Sequence, residues 1–198
     1  STGSIGRSAL AVVRRHPGRF QINALVANRS AAILAAQVAE FRPATAVLCD
    51  ESVEGPSGQH DGTMWRRGID AMLEVAADPD VDVVLNSLVG AAGLRPTLAA
   101  LEAGHRLALA NKESLVAGGA LVLSAAERGG GEIVPIDSEH SAILQCLQGS
   151  RGDDVQRVTL TASGGPFRGR PAHDLADVKA AAALRHPTWD MGAKITID

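Results

Sequence analysis

The sequence has few of the features that mark secreted, membrane or nucleic-acid-binding proteins. Its 198 residues include three Phe, two Trp, no Tyr and two cysteines, and the formal net charge is −3. Cys49 and Cys146 lie far apart and near no plausible metal ligand, which favours a reduced intracellular compartment over a disulfide framework. No apolar run approaches the roughly 18 residues of a membrane span. Without a basic stripe and interleaved aromatics, we expect neither a nucleic acid nor a membrane as partner.

The composition that remains is that of a globular protein, with 45% apolar and 21% charged residues. Short apolar segments rich in β-branched residues alternate with alanine-rich segments of helical spacing. The predicted strands are Gln21–Ala27, Ala44–Cys49, Val81–Ser87, Arg106–Ala110, Glu132–Ile136 and Arg157–Ala162, and the predicted helices are Arg7–His16, Ala31–Glu40, Met64–Ala76, Pro96–Ala103, Leu115–Arg128 and Ser138–Leu147, with Asp50–Thr63 as a surface loop. This alternation predicts βαβ units in an α/β fold with a doubly wound, Rossmann-like parallel sheet.

The alternation ends after Ile136, where polar and proline-bearing loops take over. We therefore predict a nucleotide-binding domain over residues 1–137 and the beginning of a second domain over residues 138–198. The chain starts inside a glycine turn, Ser1–Gly6, that leads directly into a helix. In a doubly wound sheet a central strand precedes such a turn, so we expect the first strand of the domain to be missing.

The glycine turn itself predicts a phosphate site. Gly3 and Gly6 have the spacing of the last two glycines of a dinucleotide fingerprint, and the backbone N–H groups of a helix N-terminus attract anions. A plain helix cap would produce the same pattern. Strand Gln21–Ala27 then ends in Asn28, Arg29 and Ser30, where a site for NAD usually carries an acidic residue. A guanidinium and a hydroxyl suit a 2′-phosphate, so NADPH is the predicted cofactor, the alternative being a solvated arginine.

Three polar clusters follow successive predicted strands, at the edge where open parallel sheets bind ligands. They are Asn111–Glu113, Asp137–His140 and Ser163–Phe167. Asp137 and Glu139 together can bind one hard cation, Mg²⁺ or Mn²⁺. Spacing alone favours another interpretation, in which Asp137 caps the following helix and Glu139 complements its dipole. A hydrolase triad of Asp137, Ser138 and His140 is disfavoured, because three near-adjacent residues cannot easily form a nucleophile–base–orienter line.

Further along, His186 and Trp189 lie in Arg185–Gly192, a segment whose turn-forming residues and single large apolar side chain are typical of an active-site lid. Six motifs then point to one family: Ser1–Gly6, Val89–Leu94, Ala110–Leu115, Pro135–His140, Ser163–Phe167 and His186–Gly192. In this order and at this spacing, the chain resembles the 1-deoxy-D-xylulose 5-phosphate reductoisomerases. The resemblance covers nearly the whole sequence.

The resemblance implies an NADPH- and metal-dependent rearrangement and reduction of 1-deoxy-D-xylulose 5-phosphate to 2-C-methyl-D-erythritol 4-phosphate, in isoprenoid precursor synthesis. It implies Mg²⁺ or Mn²⁺, with Co²⁺ also possible, bound by Asp137 and Glu139. Lys112, Glu139 and His186 would be catalytic, and the substrate would contact Lys112, Ser138, Glu139, Ser163, His186 and Trp189. The NADPH contacts would be Thr2, Gly3, Ser4, Ile5, Asn28, Arg29, Ser30, Asn111, Glu113 and Gly192.

The same resemblance implies that residues 138–198 begin an α+β catalytic domain. The third metal carboxylate and the residues that bind the substrate phosphate would follow Asp198, so we expect the chain alone to bind cofactor poorly and not to turn over. The family often has Asn at the position of Ser30. We expect a homodimer in the bacterial cytoplasm, with the plastid stroma as the alternative location. Two other functions stay open: another NADP-dependent dehydrogenase, of the semialdehyde or homoserine type, and a non-catalytic NADPH-sensing module.

Overall fold

The computed structural model describes residues 1–161 and 164–187. The chain divides into two compact units, Ser1–Leu144 and Gln145–Asp198. This division by contacts falls inside a helix, Ser138–Leu147. The domain boundary after residue 137 therefore stays a prediction.

The first unit alternates helices and strands along most of its length. In chain order the elements are α1 (Ser4–Arg15), β1 (Ala24–Ala27), α2 (Ala31–Phe41), β2 (Thr45–Leu48), β3 (Gly58–His60), β4 (Thr63–Arg67), α3 (Gly68–Ala76), β5 (Val83–Asn86), α4 (Leu94–Glu102), β6 (Arg106–Leu109), α5 (Glu113–Gly129), β7 (Glu132–Pro135) and α6 (Ser138–Leu147). A 3₁₀ turn, Gly90–Gly93, leads into α4. In the second unit, the described residues contain two 3₁₀ turns, Gly152–Asp154 and Ala172–Leu175, and the short helix α7, Ala180–Ala183.

The strands form two sheets, in the orders β1-β2-β4-β3 and β5-β6-β7. All neighbours pair in parallel except β3, which is antiparallel to β4. A groove of about 730 Å³ is lined by residues of both β1 and β5. The α/β class with a parallel sheet is confirmed, and the strand that we expect before Ser1 stays a prediction.

Helices cover the sheets with apolar side chains. Leu34 of α2 and Leu48 of β2 belong to one cluster, whereas Leu101 of α4 and Leu107 of β6 belong to another, and all four are fully buried. These contacts stabilise both sheets. The carboxyl ends of β1, β2, β6 and β7 each lead into a loop. Within the described residues, no helix is both long and apolar enough to cross a membrane.

Two adjoining sequence-based assignments are wrong. Met64–Arg67 was predicted as the start of a helix but belongs to β4, in which Thr63 and Trp65 are buried and Met64 is exposed. That alternation is the burial pattern of a strand, and α3 begins only at Gly68, whose φ of +88° favours glycine. The predicted loop Asp50–Thr63 accordingly contains β3, the partner of β4.

The strand predicted over Arg157–Ala162 is not present in its described part, residues 157–161. These residues are exposed, and no strand pairs with them among the described residues. An apolar, β-branched segment needs a partner strand for its backbone hydrogen bonds.

Candidate nucleotide- and metal-binding site

The glycine turn begins helix α1, and its geometry requires glycine at one position. A Cβ on Gly6 would lie 2.4 Å from the carbonyl oxygen of Ser1, too close for any other residue. Gln37 fixes the turn by accepting a hydrogen bond from the Ser1 hydroxyl at 2.6 Å and donating one to the Ser1 carbonyl at 3.2 Å. Gly3 is the N-cap and offers no side-chain hydrogen bond, and the first turn carries no acidic residue. Such a helix N-terminus is suited to an anion.

The predicted cofactor contacts Thr2, Gly3, Ser4 and Ile5 all lie in this turn. The next group follows β1, where Ser30 is the N-cap residue of α2. Arg29 is 68% exposed in its side chain, and its Nε forms an ion pair with Oδ2 of Asp50 at 3.0 Å. Asp50 follows β2, and its backbone N–H donates to the Asn28 carbonyl at 3.0 Å. Asp50 is not among the predicted site residues, although its position directly after the predicted strand Ala44–Cys49 indicates such a role.

Asn111, after β6, is the centre of a buried network that also includes Asn86, Thr97 and Ser114; we call these four residues the asparagine cluster. Nδ2 of Asn111 donates to the carbonyl oxygens of Leu88 at 2.6 Å and Gly90 at 3.0 Å. Its Oδ1 accepts hydrogen bonds from the backbone N–H and the hydroxyl of Ser114. Asn111 is 1% exposed. The network therefore ties the loop after β5 to the start of α5.

Asn86, at the end of β5, supports the same loop, and it too is not among the predicted site residues. Its Nδ2 donates to the Gly93 carbonyl at 2.8 Å and to the Thr97 hydroxyl at 2.9 Å. Glu113 accepts a hydrogen bond from Nδ2 of Asn111 at 3.1 Å. The side chains of Asn111 and Glu113 are thus engaged with the protein, and their contacts with NADPH stay predictions.

The residues after β7 form a second polar group with Lys112. This carboxylate cluster consists of Lys112, Asp137, Ser138, Glu139 and His140. The side chain of Asp137 is 17% exposed; its Oδ2 lies 3.0 Å from Nζ of Lys112 and its Oδ1 lies 3.1 Å from Nδ1 of His140. Burial raises the pKa of Asp137, but the hydrogen bond from Lys112 and the charges of Lys112 and His140 outweigh it, so the pKa is lowered. Asp137 is therefore held as a carboxylate.

Asp137 and Glu139 are two residues apart, at the start of α6. The Ser138 hydroxyl donates to Oε2 of Glu139 at 2.7 Å, which is not the arrangement of a Ser–His–Asp triad. Asp137 also begins α6, because its carbonyl accepts the Ser141 N–H at 2.8 Å. Residues 1–161 and 164–187 contain no group of three or more potential metal ligands. Two oxygen donors are thus present, which suits a hard cation that keeps other ligands.

The remaining predicted site residues fall elsewhere. His186 lies in the second unit and is half-buried. Ser163, Trp189 and Gly192 lie outside the described residues. The structure thus groups Lys112 with Asp137, Ser138 and Glu139, and groups Asn28 and Arg29 with Asp50.

Comparison with known proteins identifies the family. A family model described as 1-deoxy-D-xylulose 5-phosphate reductoisomerase matches residues 1–119, and a model of the C-terminal domain of the same enzyme matches residues 133–198. The chain belongs to the 1-deoxy-D-xylulose 5-phosphate reductoisomerase family. The resemblance seen in the six motifs is therefore confirmed.

Relatives in this family match the whole chain. The reductoisomerase of Chlorobaculum tepidum is 50% identical over 202 residues, which cover 100% of this chain and 53% of the relative. The chloroplastic reductoisomerase of Mentha piperita is 48% identical, over 100% of this chain and 43% of the relative. The chain thus spans about half the length of the curated relatives that it matches.

Solved reductoisomerase structures share the fold. The enzyme from Zymomonas mobilis in complex with NADPH superimposes with a TM-score of 0.88 at 40% identity, covering 100% of this chain and 51% of that one. A reductoisomerase in complex with NADPH, fosmidomycin and magnesium has a TM-score of 0.85 at 38% identity, covering 100% of this chain and 52% of that one.

Proposed function

We propose that this chain provides the NADPH-binding domain and the start of the catalytic domain of an enzyme that converts 1-deoxy-D-xylulose 5-phosphate to 2-C-methyl-D-erythritol 4-phosphate, a step of isoprenoid precursor synthesis. The observation that carries the proposal is the carboxylate cluster, in which Lys112 lies 3.0 Å from Asp137 at the ends of two adjacent parallel strands. Membership of the reductoisomerase family and the two ligand-bound relatives support it.

NADPH is the proposed cofactor, and it would supply the hydride for the reduction. The uncapped N-terminus of α1, with Thr2, Gly3, Ser4 and Ile5, would bind the pyrophosphate. Asn28, Arg29 and Ser30 would bind the 2′-phosphate end, where Arg29 offers an exposed guanidinium. Asn111, Glu113 and Gly192 complete the proposed contacts.

A divalent cation, Mg²⁺ or Mn²⁺ and also Co²⁺, is the second proposed cofactor, bound by Asp137 and Glu139. It would act as a Lewis acid and as a template for two substrate oxygens. The ionised state of Asp137 fits this role, because a ligating carboxylate must be deprotonated. We propose that a third carboxylate comes from the part of the family sequence that follows the match to this chain.

Lys112, Glu139 and His186 are the proposed catalytic residues. The ammonium group of Lys112 pairs with Asp137, and because the Lys112 side chain is 53% exposed, this group can also reach a substrate oxygen. The Ser138 hydroxyl, which donates to Glu139, would contact the substrate. Ser163, His186 and Trp189 would complete the substrate site. The substrate is a small phosphosugar, and we expect no nucleic acid or membrane partner.

For the whole protein we propose a homodimer in the bacterial cytoplasm, as most of the relatives compared are bacterial; the chloroplastic relative of Mentha piperita supports the plastid stroma as the alternative. Sedimentation velocity of the purified protein checks the oligomeric state, with a single species of twice the monomer mass expected.

An activity assay tests the function. We define the family-length enzyme as this chain extended to the full length of its relatives. NADPH oxidation should require both 1-deoxy-D-xylulose 5-phosphate and a divalent metal, and should stop when EDTA is added. Metal-independent oxidation of NADPH with aspartate semialdehyde, or reduction of NADP⁺ with homoserine, would instead indicate another dehydrogenase. NADPH binding without turnover of any of these substrates would indicate a sensing module.

A further inference from the structure

The ion pair between Arg29 and Asp50 involves a third residue, Ser52, which binds the Asp50 carboxylate. Oδ2 of Asp50 lies 3.0 Å from Nε of Arg29. The other carboxylate oxygen, Oδ1, accepts two hydrogen bonds from Ser52, from its backbone N–H at 2.9 Å and from its hydroxyl at 2.5 Å. The two oxygens therefore have separate tasks: Oδ1 anchors the carboxylate and Oδ2 holds the arginine.

The loop that carries Asp50 is itself fixed. The Asp50 N–H donates to the Asn28 carbonyl, which ties the end of β2 to the end of β1. Arg67 donates to the carbonyl oxygens of Glu51 at 2.8 Å, Val53 at 2.5 Å and Gly55 at 3.3 Å. Asp50 is thus a rigid support, whereas Arg29 is a long side chain that is 68% exposed.

Asp50 contacts Arg29 at Nε. Among residues 1–161 and 164–187, neither Nη1 nor Nη2 of Arg29 donates a hydrogen bond, so this edge of the guanidinium can bind an anion. An unsupported arginine loses rotamer freedom when it binds a phosphate, and that loss weakens binding. Holding Nε beforehand reduces the loss.

We propose that Asp50, anchored by Ser52, is a positioning residue that orients Arg29 toward the 2′-phosphate of NADPH and so raises selectivity for NADPH over NADH. The inference rests on the proposed function, in which Arg29 binds this phosphate. The negative charge of Asp50 also repels the phosphate, so the proposal requires the orientation of Arg29 to contribute more than this repulsion costs.

The ordinary pKa of an aspartate is already low enough for Asp50 to be charged at neutral pH. The Ser52 hydroxyl and N–H, followed by the charges of Arg29 and Arg67, lower the pKa of Asp50 further against the effect of desolvation. Asp50 is therefore a carboxylate throughout the pH range of an assay.

Asp50→Asn separates orientation from bulk structure, because an amide cannot replace both carboxylate oxygens. If its oxygen accepts from Ser52, its NH₂ faces the Nε–H of Arg29; if it flips, its NH₂ faces the Ser52 N–H. In the family-length enzyme we expect the KM for NADPH to rise about three- to tenfold in this variant and the KM for NADH to change less than about twofold. Ser52→Ala should give a smaller shift in the same direction.

Glu51→Gln is the matched control. It removes one negative charge at the adjacent position, and among the described residues Glu51 forms no ion pair with Arg29. Its ratio of the KM values for NADPH and NADH should be that of the wild type. In the Arg29→Ala background, Asp50→Asn should have no further effect on this ratio, since the side chain that it orients is gone.

The outcomes separate the two proposals. If Arg29→Ala leaves the ratio unchanged, the assignment of Arg29 to the 2′-phosphate fails, and the positioning role fails with it. If Arg29→Ala lowers selectivity but Asp50→Asn leaves the ratio unchanged or makes NADPH bind more tightly, only the positioning role is overturned. An equal rise in both KM values, or the same change with Glu51→Gln, overturns the positioning role as well.

Discussion

The asparagine cluster and the carboxylate cluster include adjacent residues, Asn111 and Lys112, but the two clusters differ in burial. Asn111 and Ser114 are 1% and 0% exposed, and Asn111 is bonded to the protein through both its amide oxygen and its amide nitrogen. In contrast, the side chains of Lys112 and His140 are 53% and 50% exposed. Polar residues at strand ends thus serve two purposes here. One set holds the loops in place, and the other set is available to ligands.

The largest expected effect comes from a substitution in the asparagine cluster. Asn111→Ala removes the donor to the Leu88 and Gly90 carbonyls and leaves the Ser114 hydroxyl without its acceptor. Buried polar groups without partners are costly, so we expect the free energy of unfolding to fall by about 3 kcal/mol. Urea denaturation followed by circular dichroism measures this change. Lys112→Ala, at the adjacent exposed position, is the control and should cost less than about 1 kcal/mol. Equal losses in both variants would remove the distinction between the clusters.

The next largest effect comes from a substitution in the carboxylate cluster and is a loss of turnover. In the family-length enzyme, Asp137→Asn should lower kcat about a hundredfold and weaken the dependence on metal, because a ligand to the cation loses its charge. The fold should remain, since the Asp137 carbonyl still accepts the first hydrogen bond of α6. Rates and metal titrations are measured together with the melting temperature. Near-normal turnover with unchanged metal dependence would return Asp137 to the role of a helix cap.

A third prediction sharpens the role of close packing around Asn111. A Cβ on Gly93 would lie 2.3 Å from Oδ1 of Asn111. Gly93→Ala should therefore destabilise the protein by about 2 kcal/mol, as the loop and the amide move apart. Gly119→Ala in α5 is the matched control, because its Cβ would meet nothing within 4 Å. There the substitution should be neutral or stabilising by up to about 1 kcal/mol. A neutral Gly93→Ala variant would show that the asparagine cluster tolerates displacement.

The smallest effect is the pH dependence contributed by Asp137. Its pKa in the folded chain is lowered, so its contribution to stability is fully present above the unfolded value of about 4 and is lost as pH falls through the lower folded value. We expect less than about 1 kcal/mol, because its partner Lys112 is solvent-exposed. Unfolding in EDTA at pH 6 and at pH 2.5 should therefore show a smaller loss of stability for Asp137→Asn than for the wild type. Identical losses would show that the ion pair contributes nothing to folding.

Much of the fold was predictable from the sequence, because βαβ units have a strong apolar periodicity. The predicted segments for β1, β2, β5, β6 and β7 all contain the observed strands. The first turn of the predicted helix Met64–Ala76 was wrong for a physical reason. Trp65 and Met64 suit either structure, and only pairing with β2 and β3 selects the strand.

The placement of polar residues after strands was a property of the sequence by itself. A buried apolar strand must end where polar side chains begin, so Arg29, Lys112 and Asp137 could each be placed directly after a predicted strand, where parallel sheets bind ligands. Their partners were decided by tertiary structure. Asp50 meets Arg29, and Leu88 and Gly90 meet Asn111, only because parallel strands bring residues about 20 positions apart into hydrogen-bonding distance. The burial of these polar side chains depends on those distant contacts, which no local sequence pattern encodes.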